Sequence, residues 1–326
     1  MMSRYLVTGT AGFIGAQVTT LLLDDEHEVI GIDDLNDAYD PRLKEWRLKL
    51  LKEREGFTFH HVDITNKREL EAACSPPEFD AIINLAARAG VRQSVLNPEI
   101  YYRCNVLGTL NLLDIAQASG VRKFIQASTS SLYGAHNSRP FREDADISRP
   151  LSPYAASKGA AELLCHSYHK LYDLDVTILR YFTVYGPAGR PEMSIFRFVQ
   201  WIAEGRPLVL YGDGEQERDF TFVDDIARGT VAAIEPTGFQ VINLGGDQPI
   251  SMMRVIHKLE EIIGKKADIH EHAEAPADVR ATWADITHAR EILNWEPEIG
   301  LDEGLKETVA WYMEERDWAS LVATSD

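Results

Sequence analysis

Cysteine is scarce in this 326-residue chain, and its few thiols are widely separated. The three cysteines, Cys74, Cys104 and Cys165, are odd in number and form no C-x-x-C pair. This pattern argues against a disulfide framework and against a zinc site of clustered thiols. The histidines at residues 60–61 and at residues 270 and 272 lack the surroundings of a ligand set, so we expect no metal site.

Positive charge is also scarce. Lys and Arg total 33 against 51 Asp and Glu, which gives a formal net charge of -18. This balance argues against a nucleic-acid partner, because no basic surface is evident to neutralise phosphates. No apolar run approaches the length of a membrane-spanning helix, and no signal peptide precedes the first predicted strand. We therefore expect a cytoplasmic protein with no membrane partner.

What the chain does have is a regular alternation of short β-rich segments and helical segments up to about residue 186. Such alternation predicts a parallel sheet with helices on both faces, the doubly wound α/β arrangement of a Rossmann fold. The predicted strands occupy residues 5–7, 28–32, 57–62, 81–85, 123–127 and 176–181. The predicted helices include residues 13–23, 106–119 and 153–171.

The alternation weakens after a turn-rich segment at residues 186–191. We therefore predict a Rossmann domain at residues 1–186 and a smaller C-terminal α/β substrate lobe at residues 187–326. A segment near residues 222–246 is expected to return to the main sheet, because it ends in a strand-like apolar run. The tail after Asp317 is expected to fray.

Three glycines, Gly9, Gly12 and Gly15, follow the first predicted strand and open the first predicted helix. This placement is typical of a dinucleotide site, because glycines let the backbone approach a pyrophosphate and the helix N-terminus offers free N–H groups. Asp33 ends the second strand, where a carboxylate accepts hydrogen bonds from an adenosine ribose and repels a 2′-phosphate. Asp63 is placed to reach the adenine edge, although a helix N-cap explains it equally well. We therefore predict NAD rather than NADP.

Tyr154 and Lys158 lie one turn apart on the same face of a predicted helix. A free tyrosine titrates at about 10, but a neighbouring ammonium and an oxidised nicotinamide would lower its pKa and favour a phenolate base. A hydroxyl cluster at residues 128–131 follows the fifth strand, at the sheet edge where ligands bind. One of these hydroxyls can relay a substrate proton to Tyr154. The alternative interpretation is that Tyr154 and Lys158 are an exposed pair on the surface of the helix, without a catalytic role.

These motifs together resemble those of the extended short-chain dehydrogenases/reductases, in the nucleotide-sugar epimerase/dehydratase family. The resemblance extends over residues 5–312, and its carriers are the glycine loop, residues 85–87, Asn105, residues 128–130, the Tyr154–Lys158 pair and residues 181–187 and 218–220. It implies oxidation of a sugar C4 hydroxyl with tightly held NAD, and a homodimer. It also implies that Tyr154 is the base, Thr129 the proton relay and Lys158 the partner of the cofactor.

The predicted cofactor site combines the glycine loop with residues implied by the resemblance. It comprises Gly9, Gly12, Phe13, Ile14, Gly15, Asp33, Asn36, Asp63, Ile64, Leu85, Ala86, Ala87, Asn105, Tyr154, Lys158 and Tyr181.

The residues after the proton relay argue for one reaction within the family. Dehydratases of the family typically carry Asp and then Glu after the relay, whereas this chain has Ser130 and Ser131. Elimination of water would then lack its acid and base. Uronate decarboxylases of the family carry Thr-Ser-Glu, and Ser131 occupies the Glu position. The remaining reaction is epimerisation at C4, through a transient 4-keto sugar.

Residues 183–191 resemble the corresponding segment of UDP-glucuronate 4-epimerases. The resemblance implies that Thr183 and Arg190 bind the substrate carboxylate, for which a guanidinium is well suited. The wider predicted substrate site comprises Arg88, Arg92, Ser128, Thr129, Ser130, Thr183, Arg190, Arg218 and Asp278. The galactose epimerases carry a pyrophosphate-binding Arg where this chain has Ala275, and Arg280 is one candidate to replace it.

The predicted reaction is therefore the conversion of UDP-glucuronate to UDP-galacturonate. Three alternatives stay open at this point: a UDP-glucose/UDP-galactose 4-epimerase, a UDP-glucuronate decarboxylase, and a non-catalytic NAD-binding regulator.

Overall fold

The structure is a computed structural model that describes residues 2–76, 78–273 and 279–324. Within those ranges, no helix is both long enough and apolar enough to cross a membrane. The described strands are β1 (Arg4–Thr8), β2 (Glu28–Asp33), β3 (Phe57–His61), β4 (Ala81–Asn84), β5 (Lys123–Thr129), β6 (Asp175–Tyr181), β7 (Thr183–Tyr185), β8 (Pro207–Tyr211), β9 (Glu217–Phe222), β10 (Phe239–Leu244), β11 (Pro249–Ser251) and β12 (Asp268–His272).

The α-helices of the described ranges connect and flank these strands. They are α1 (Phe13–Asp24), α2 (Pro41–Lys52), α3 (Lys67–Ala73), α4 (Val91–Leu96), α5 (Pro98–Tyr101), α6 (Thr109–Ser119), α7 (Pro153–Tyr172), α8 (Ser194–Glu204), α9 (Val223–Ala232), α10 (Met252–Ile263), α11 (Thr287–Leu293), α12 (Leu301–Glu314) and α13 (Arg316–Ala319).

Seven parallel strands form the central sheet, in the order β10-β6-β5-β4-β1-β2-β3. The chain builds outward from β1 to β3 and then returns to β4 on the other side of β1. Strand order therefore reverses between β1 and β4, which leaves a crevice at the carboxyl ends of these strands. The predicted doubly wound α/β fold is confirmed.

Both faces of the sheet are covered, which explains why its central strands are continuously apolar. On one face, Leu22 of α1 and Ile226 of α9 belong to a buried cluster with the sheet residues Val7 and Ile83. On the other face, Leu112 of α6 and Cys165 of α7 belong to a second cluster. Burial raises the pKa of the Cys165 thiol far above its ordinary value, so this cysteine serves as an apolar core residue.

The strand β10 joins the central sheet after a long excursion of the chain. It pairs in parallel with β6, with Val241 opposite Ile178 and Leu244 opposite Tyr181. The strand β10 lies within the segment near residues 222–246 that was expected to return to the main sheet. Because β10 and α9 both pack on the sheet, the segment after residue 222 contributes to the dinucleotide-binding region as well as to the C-terminal part.

The C-terminal part of the chain packs around a third apolar cluster. Phe198 of α8, Ile256 of α10 and Tyr312 of α12 are buried in it, and Phe13 of α1 joins it from the Rossmann region. Two small sheets, β11-β9-β7 and β12-β8, complete this part.

Two sequence expectations need correction. The helix predicted at residues 106–119 is part of a longer helical run, because a π-helical segment at Tyr102–Gly108 joins α5 to α6. The tail after Asp317 does not fray over its described residues. Ala319 and Val322 are buried, and the Gln200 amide donates to both of their carbonyl oxygens at 3.0 and 2.9 Å.

Candidate active site

A cavity of about 340 Å³ lies at the carboxyl ends of the central strands, where strand order reverses. Doubly wound folds bind their ligands at such a crevice. Most of the residues predicted for the cofactor and substrate sites line this cavity. They are Gly9, Gly12, Phe13, Ile14, Gly15, Asp33, Asn36, Asp63, Ile64, Leu85, Ala86, Ala87, Ser128, Thr129, Ser130, Tyr154, Lys158, Tyr181, Thr183 and Arg190.

The turn between β1 and α1 presents bare backbone to the cavity. Gly9 has a φ of 71°, and a Cβ atom there would lie 2.7 Å from the backbone N of Ala86. A Cβ atom at Gly15 would lie 2.0 Å from the Gly9 carbonyl oxygen, so neither position can hold a side chain. Gly12 is the N-cap residue of helix α1. Because it has no side chain, no side-chain hydrogen bond caps the first N–H groups of the helix. This geometry fits a dinucleotide pyrophosphate.

Asp33 lies at the end of β2, buried and on the cavity wall. Its carboxylate accepts backbone hydrogen bonds from Ala11 at 3.1 Å and from Leu35 at 2.8 Å. Burial raises the pKa of Asp33, and nearby Lys44 and the two backbone donors oppose this rise. The carboxylate is thus fixed at the position where ribose hydroxyls can donate to its remaining lone pairs.

Lys44 is a cavity residue that the sequence analysis missed. Its Nζ lies 3.8 Å from Asp33 Oδ1, and its side chain is only 6% exposed. Burial lowers the pKa of Lys44, while Asp33 opposes that change. No local pattern distinguishes Lys44 from the other lysines of α2, because its burial depends on how the helix packs against α1 and β3.

Asp63 and Asn36 stabilise turns at the cavity wall. Asp63 Oδ1 accepts a hydrogen bond from the Thr65 backbone N at 2.8 Å, and Asn36 Oδ1 accepts one from Ala38 at 3.0 Å. The helix α3 is capped by Asn66 instead of Asp63. The N-cap explanation of Asp63 is therefore wrong.

Tyr154, Lys158 and Thr129 converge on the cavity from the first turns of α7 and the end of β5. Lys158 Nζ donates to the Ala127 carbonyl at 3.0 Å, and burial lowers the pKa of Lys158 to about 8. Burial raises the pKa of Tyr154, while the Thr129 hydroxyl and Arg190 act in the opposite direction. In the protein alone, burial therefore outweighs the opposing effects of Thr129 and Arg190 on the pKa of Tyr154.

The Ser128 hydroxyl points away from the substrate side into a buried ionic network. It donates to Glu162 Oε1 at 2.5 Å, and the same carboxylate accepts Nε (3.0 Å) and Nη2 (2.7 Å) of Arg180. Glu162 lies one turn beyond Lys158 on α7, and all three members of the network are buried. The sequence analysis missed Glu162 and Arg180, which hold the end of β5 against α7.

Arg190 faces the cavity together with Glu192, a carboxylate that the sequence analysis did not single out. Arg190 Nε donates to Glu192 Oε1 at 2.8 Å, and Nη2 donates to the same oxygen. Thr183, at the start of β7, lines the same cavity.

Of the predicted residues that the structure describes, four lie outside the cavity lining: Arg88, Arg92, Asn105 and Arg218. Asn105 is buried and bonds both the N and the O of the Arg88 backbone at 2.9 Å, as well as Ser157, so it fixes the segment after β4 against α7. The Arg92 guanidinium stacks over the Tyr211 ring at 4.2 Å. Arg218 Nη1 donates to the Glu217 carbonyl at 2.8 Å. Asp278 and Ala275 lie outside the described residues, and Arg280, the candidate replacement, is exposed.

Arg47 of α2 connects the cofactor turn with the loop that carries Arg190. Its Nη1 donates to the Ala11 carbonyl at 3.0 Å and to the Tyr39 hydroxyl at 2.9 Å. Its Nε and Nη2 donate to the Ala188 carbonyl at 3.2 and 2.5 Å. Arg47 is 4% exposed, so these bonds form away from water. The Arg47 side chain thus fixes the cofactor turn at Ala11 relative to the loop at Ala188 that precedes Arg190.

We predict that Arg47→Met destabilises the protein by about 2–5 kcal/mol and loosens NAD, because two buried carbonyls lose their donors. Thermal unfolding, together with the NAD content of the protein after gel filtration, measures both effects. Arg54→Met is the matched control, since Arg54 forms an exposed ion pair with Asp24. Unchanged stability and NAD content in Arg47→Met would contradict the proposed link.

Comparisons with known proteins identify the family to which the chain belongs. A family model described as GDP-mannose 4,6 dehydratase matches residues 6–308. A UDP-glucuronate 4-epimerase of Thermodesulfobacterium geofontis is 55% identical over 96% of this chain and 97% of its own length.

Solved structures give the same result. The UDP-glucuronic acid 4-epimerase of Bacillus cereus, in complex with UDP-glucuronic acid and NAD, has a TM-score of 0.89 at 38% identity, over 96% of this chain and 99% of its own. A UDP-glucose 4-epimerase of Thermotoga maritima, with UDP-glucose, has a TM-score of 0.89 at 32% identity, with the same coverage of both chains. The chain therefore belongs to the GDP-mannose 4,6-dehydratase family of extended short-chain dehydrogenases/reductases, as its motifs predicted.

Proposed function

We propose that this protein is an NAD-dependent UDP-glucuronate 4-epimerase that interconverts UDP-glucuronate and UDP-galacturonate. The observation that carries the proposal is that Arg190 faces the same cavity as Thr129 and Tyr154. A cationic anchor for a sugar carboxylate therefore lies beside the groups that can remove a hydroxyl proton. The similarity to UDP-glucuronate 4-epimerases along nearly the whole chain supports this substrate.

The proton of the sugar C4 hydroxyl passes to Tyr154, directly or through Thr129. When bound, NAD supplies the hydride acceptor and donor, and its charge favours the tyrosine phenolate. Lys158 remains mostly cationic at neutral pH, since its pKa is lowered only to about 8. Its ammonium is held by the Ala127 carbonyl and is available to bind the cofactor ribose. Tyr154 and Thr129 return the proton when the C4 ketone is reduced.

Arg190 has a second task, because oxidation of a uronate at C4 creates a β-keto acid. Such an acid loses CO2 most readily when the bond to its carboxylate lies along the π system of the ketone. Charge-assisted hydrogen bonds from Arg190, with Thr183 on the same cavity, would hold the carboxylate away from that alignment. The ketone can then be reduced before carbon is lost.

The cavity offers little support for elimination. Ser130 and Ser131 line it at the positions where dehydratases of the family carry acids. Among the described lining residues on the substrate side, Glu192 is the carboxylate, and Arg190 already engages it. The ketone therefore lacks a free acid and base at neighbouring carbons, which favours simple return of the hydride.

The test is to incubate the purified protein, without added NAD, with UDP-glucuronate or with UDP-glucose and to identify the products. We expect UDP-galacturonate from UDP-glucuronate. Arg190→Ala should lower kcat/KM for UDP-glucuronate by about a hundredfold or more and leave NAD content unchanged, because a charged anchor is lost from the substrate side. Release of CO2 with a UDP-pentose, or turnover of UDP-glucose alone, would contradict the proposal.

We also propose a homodimer formed through the face of α4, α7 and the π-helical segment. Large apolar side chains are exposed there: Leu96 is 78%, Leu163 70%, Tyr102 45% and Leu107 42% exposed. Helix α7 contacts both α4 and the π-helical segment, so these exposed side chains lie on adjoining elements. A second copy of the chain, with the same face, can cover them.

We predict that Leu163→Glu dissociates this dimer, since a buried, unpaired carboxylate is unfavourable in an apolar interface. Light scattering coupled to gel filtration should give twice the mass of one chain for the wild type and a single-chain mass for the variant. Leu321→Glu, at another exposed leucine, is the control and should leave the mass unchanged. A wild-type protein that elutes with the mass of one chain would refute the dimer.

A cytoplasmic location is part of the same proposal. The three cysteines are free thiols in the structure, which suits a reducing compartment.

A further inference from the structure

The ion pair between Arg190 and Glu192 is unevenly bonded. Glu192 Oε1 accepts hydrogen bonds from both Nε and Nη2 of Arg190. Glu192 Oε2 is enclosed, yet it accepts no hydrogen bond within the described part of the chain. Both side chains line the cavity, with 25% and 27% of their surface exposed. The ion pair is therefore formed through only one of the two carboxylate oxygens of Glu192. It lies at the position proposed for the substrate carboxylate.

Arg190 retains donors for a second anion. A guanidinium carries five N–H donors in a planar fork, and Glu192 occupies the side of Nε. Among the described residues, no group accepts a hydrogen bond from Nη1. A substrate carboxylate can therefore engage the edge formed by Nη1 and Nη2 while Glu192 holds the adjacent edge formed by Nε and Nη2.

Two carboxylates on one guanidinium repel each other, so Glu192 weakens the grip of Arg190 on the substrate. The same carboxylate has a compensating effect when the substrate carboxylate moves away. Without Glu192, the departing anion would leave a poorly solvated cation behind, which is strongly unfavourable. With Glu192, Arg190 returns to a partner that is always present.

We propose that Glu192 is a positioning residue that makes the contact between Arg190 and the substrate carboxylate reversible. The proposal rests on the proposed UDP-glucuronate 4-epimerase activity. Epimerisation needs this reversibility, because the 4-keto sugar must turn within the cavity before the hydride returns to its opposite face. A guanidinium that held the carboxylate too tightly would slow that turn and the release of product.

If Glu192 opposes the contact between Arg190 and the substrate, removing its negative charge should strengthen the binding of UDP-glucuronate. Glu192→Gln keeps the size of the side chain and one acceptor oxygen but removes the negative charge. We expect it to tighten binding of UDP-glucuronate about tenfold, from the lost repulsion between charges that share one guanidinium. We expect kcat to fall by a similar factor, because turning and release become slower. Binding of UDP-glucose should not change, since it has no carboxylate.

The experiment measures dissociation constants by calorimetry with NAD-loaded protein in a Tyr154→Phe background, which prevents turnover during the titration. It measures kcat in the background that retains Tyr154. Glu192→Asp keeps the charge and should stay close to the wild type, whereas Glu192→Ala should shift the affinity in the same direction as Glu192→Gln. Asp144→Asn is the matched control, because Asp144 pairs with Arg142 two residues away on the exposed surface.

Unchanged or weaker binding of UDP-glucuronate by both Glu192→Gln and Glu192→Ala would overturn the proposal. Equal tightening of UDP-glucuronate and UDP-glucose would overturn it too, because the effect would not depend on the carboxylate. A wild-type protein that does not epimerise UDP-glucuronate would instead refute the proposed function. The calorimetric comparison would then still show whether Glu192 opposes binding of an anion at Arg190.

Discussion

The buried guanidinium of Arg47 is the interaction on which the geometry of this site depends. It donates to Ala11 in the turn after β1 and to Ala188 in the loop before Arg190, which are far apart in the chain. The cofactor turn and the proposed carboxylate anchor are therefore fixed relative to each other by one side chain. Hydride transfer needs such a fixed distance, because a misplacement of the reacting groups by about 1 Å can slow a reaction about a hundredfold.

Local charge pairs, rather than net charge, explain how a chain with a formal charge of -18 binds an anionic nucleotide sugar. Three carboxylates in or beside the cavity each have a cation next to them: Asp33 has Lys44, Glu162 has Arg180, and Glu192 has Arg190. The pyrophosphate is left to backbone N–H groups at the start of α1. The charges of these three carboxylates are therefore compensated locally, without a positive field over the whole protein.

The sequence predicted those features whose chemistry is local. The glycine turn, the Tyr154–Lys158 pair and the parallel sheet each follow from residues within one turn or one strand. It did not predict Arg47 or Glu162, because an arginine or glutamate on a helix is usually solvated and only tertiary packing buries it. Asn105 is a different case: the family resemblance implied a place in the cofactor site, whereas in the structure it lies outside the cavity lining and its amide bonds the Arg88 backbone. The sequence does show an acid, Glu192, two residues after Arg190. This short spacing is also typical of ion pairs on the protein surface, so it does not identify Glu192 as a site residue.

The central claim is that hydride leaves the sugar C4 carbon and returns to the same carbon within one active site. The most direct measurement uses UDP-glucuronate with deuterium at C4, incubated in ordinary water with the purified protein and no added NAD. The account predicts that the UDP-galacturonate formed carries the deuterium at C4, because the same cofactor molecule holds it until reduction. Loss of the deuterium to water would contradict the account, since it would mean that C4 is inverted through proton exchange or elimination.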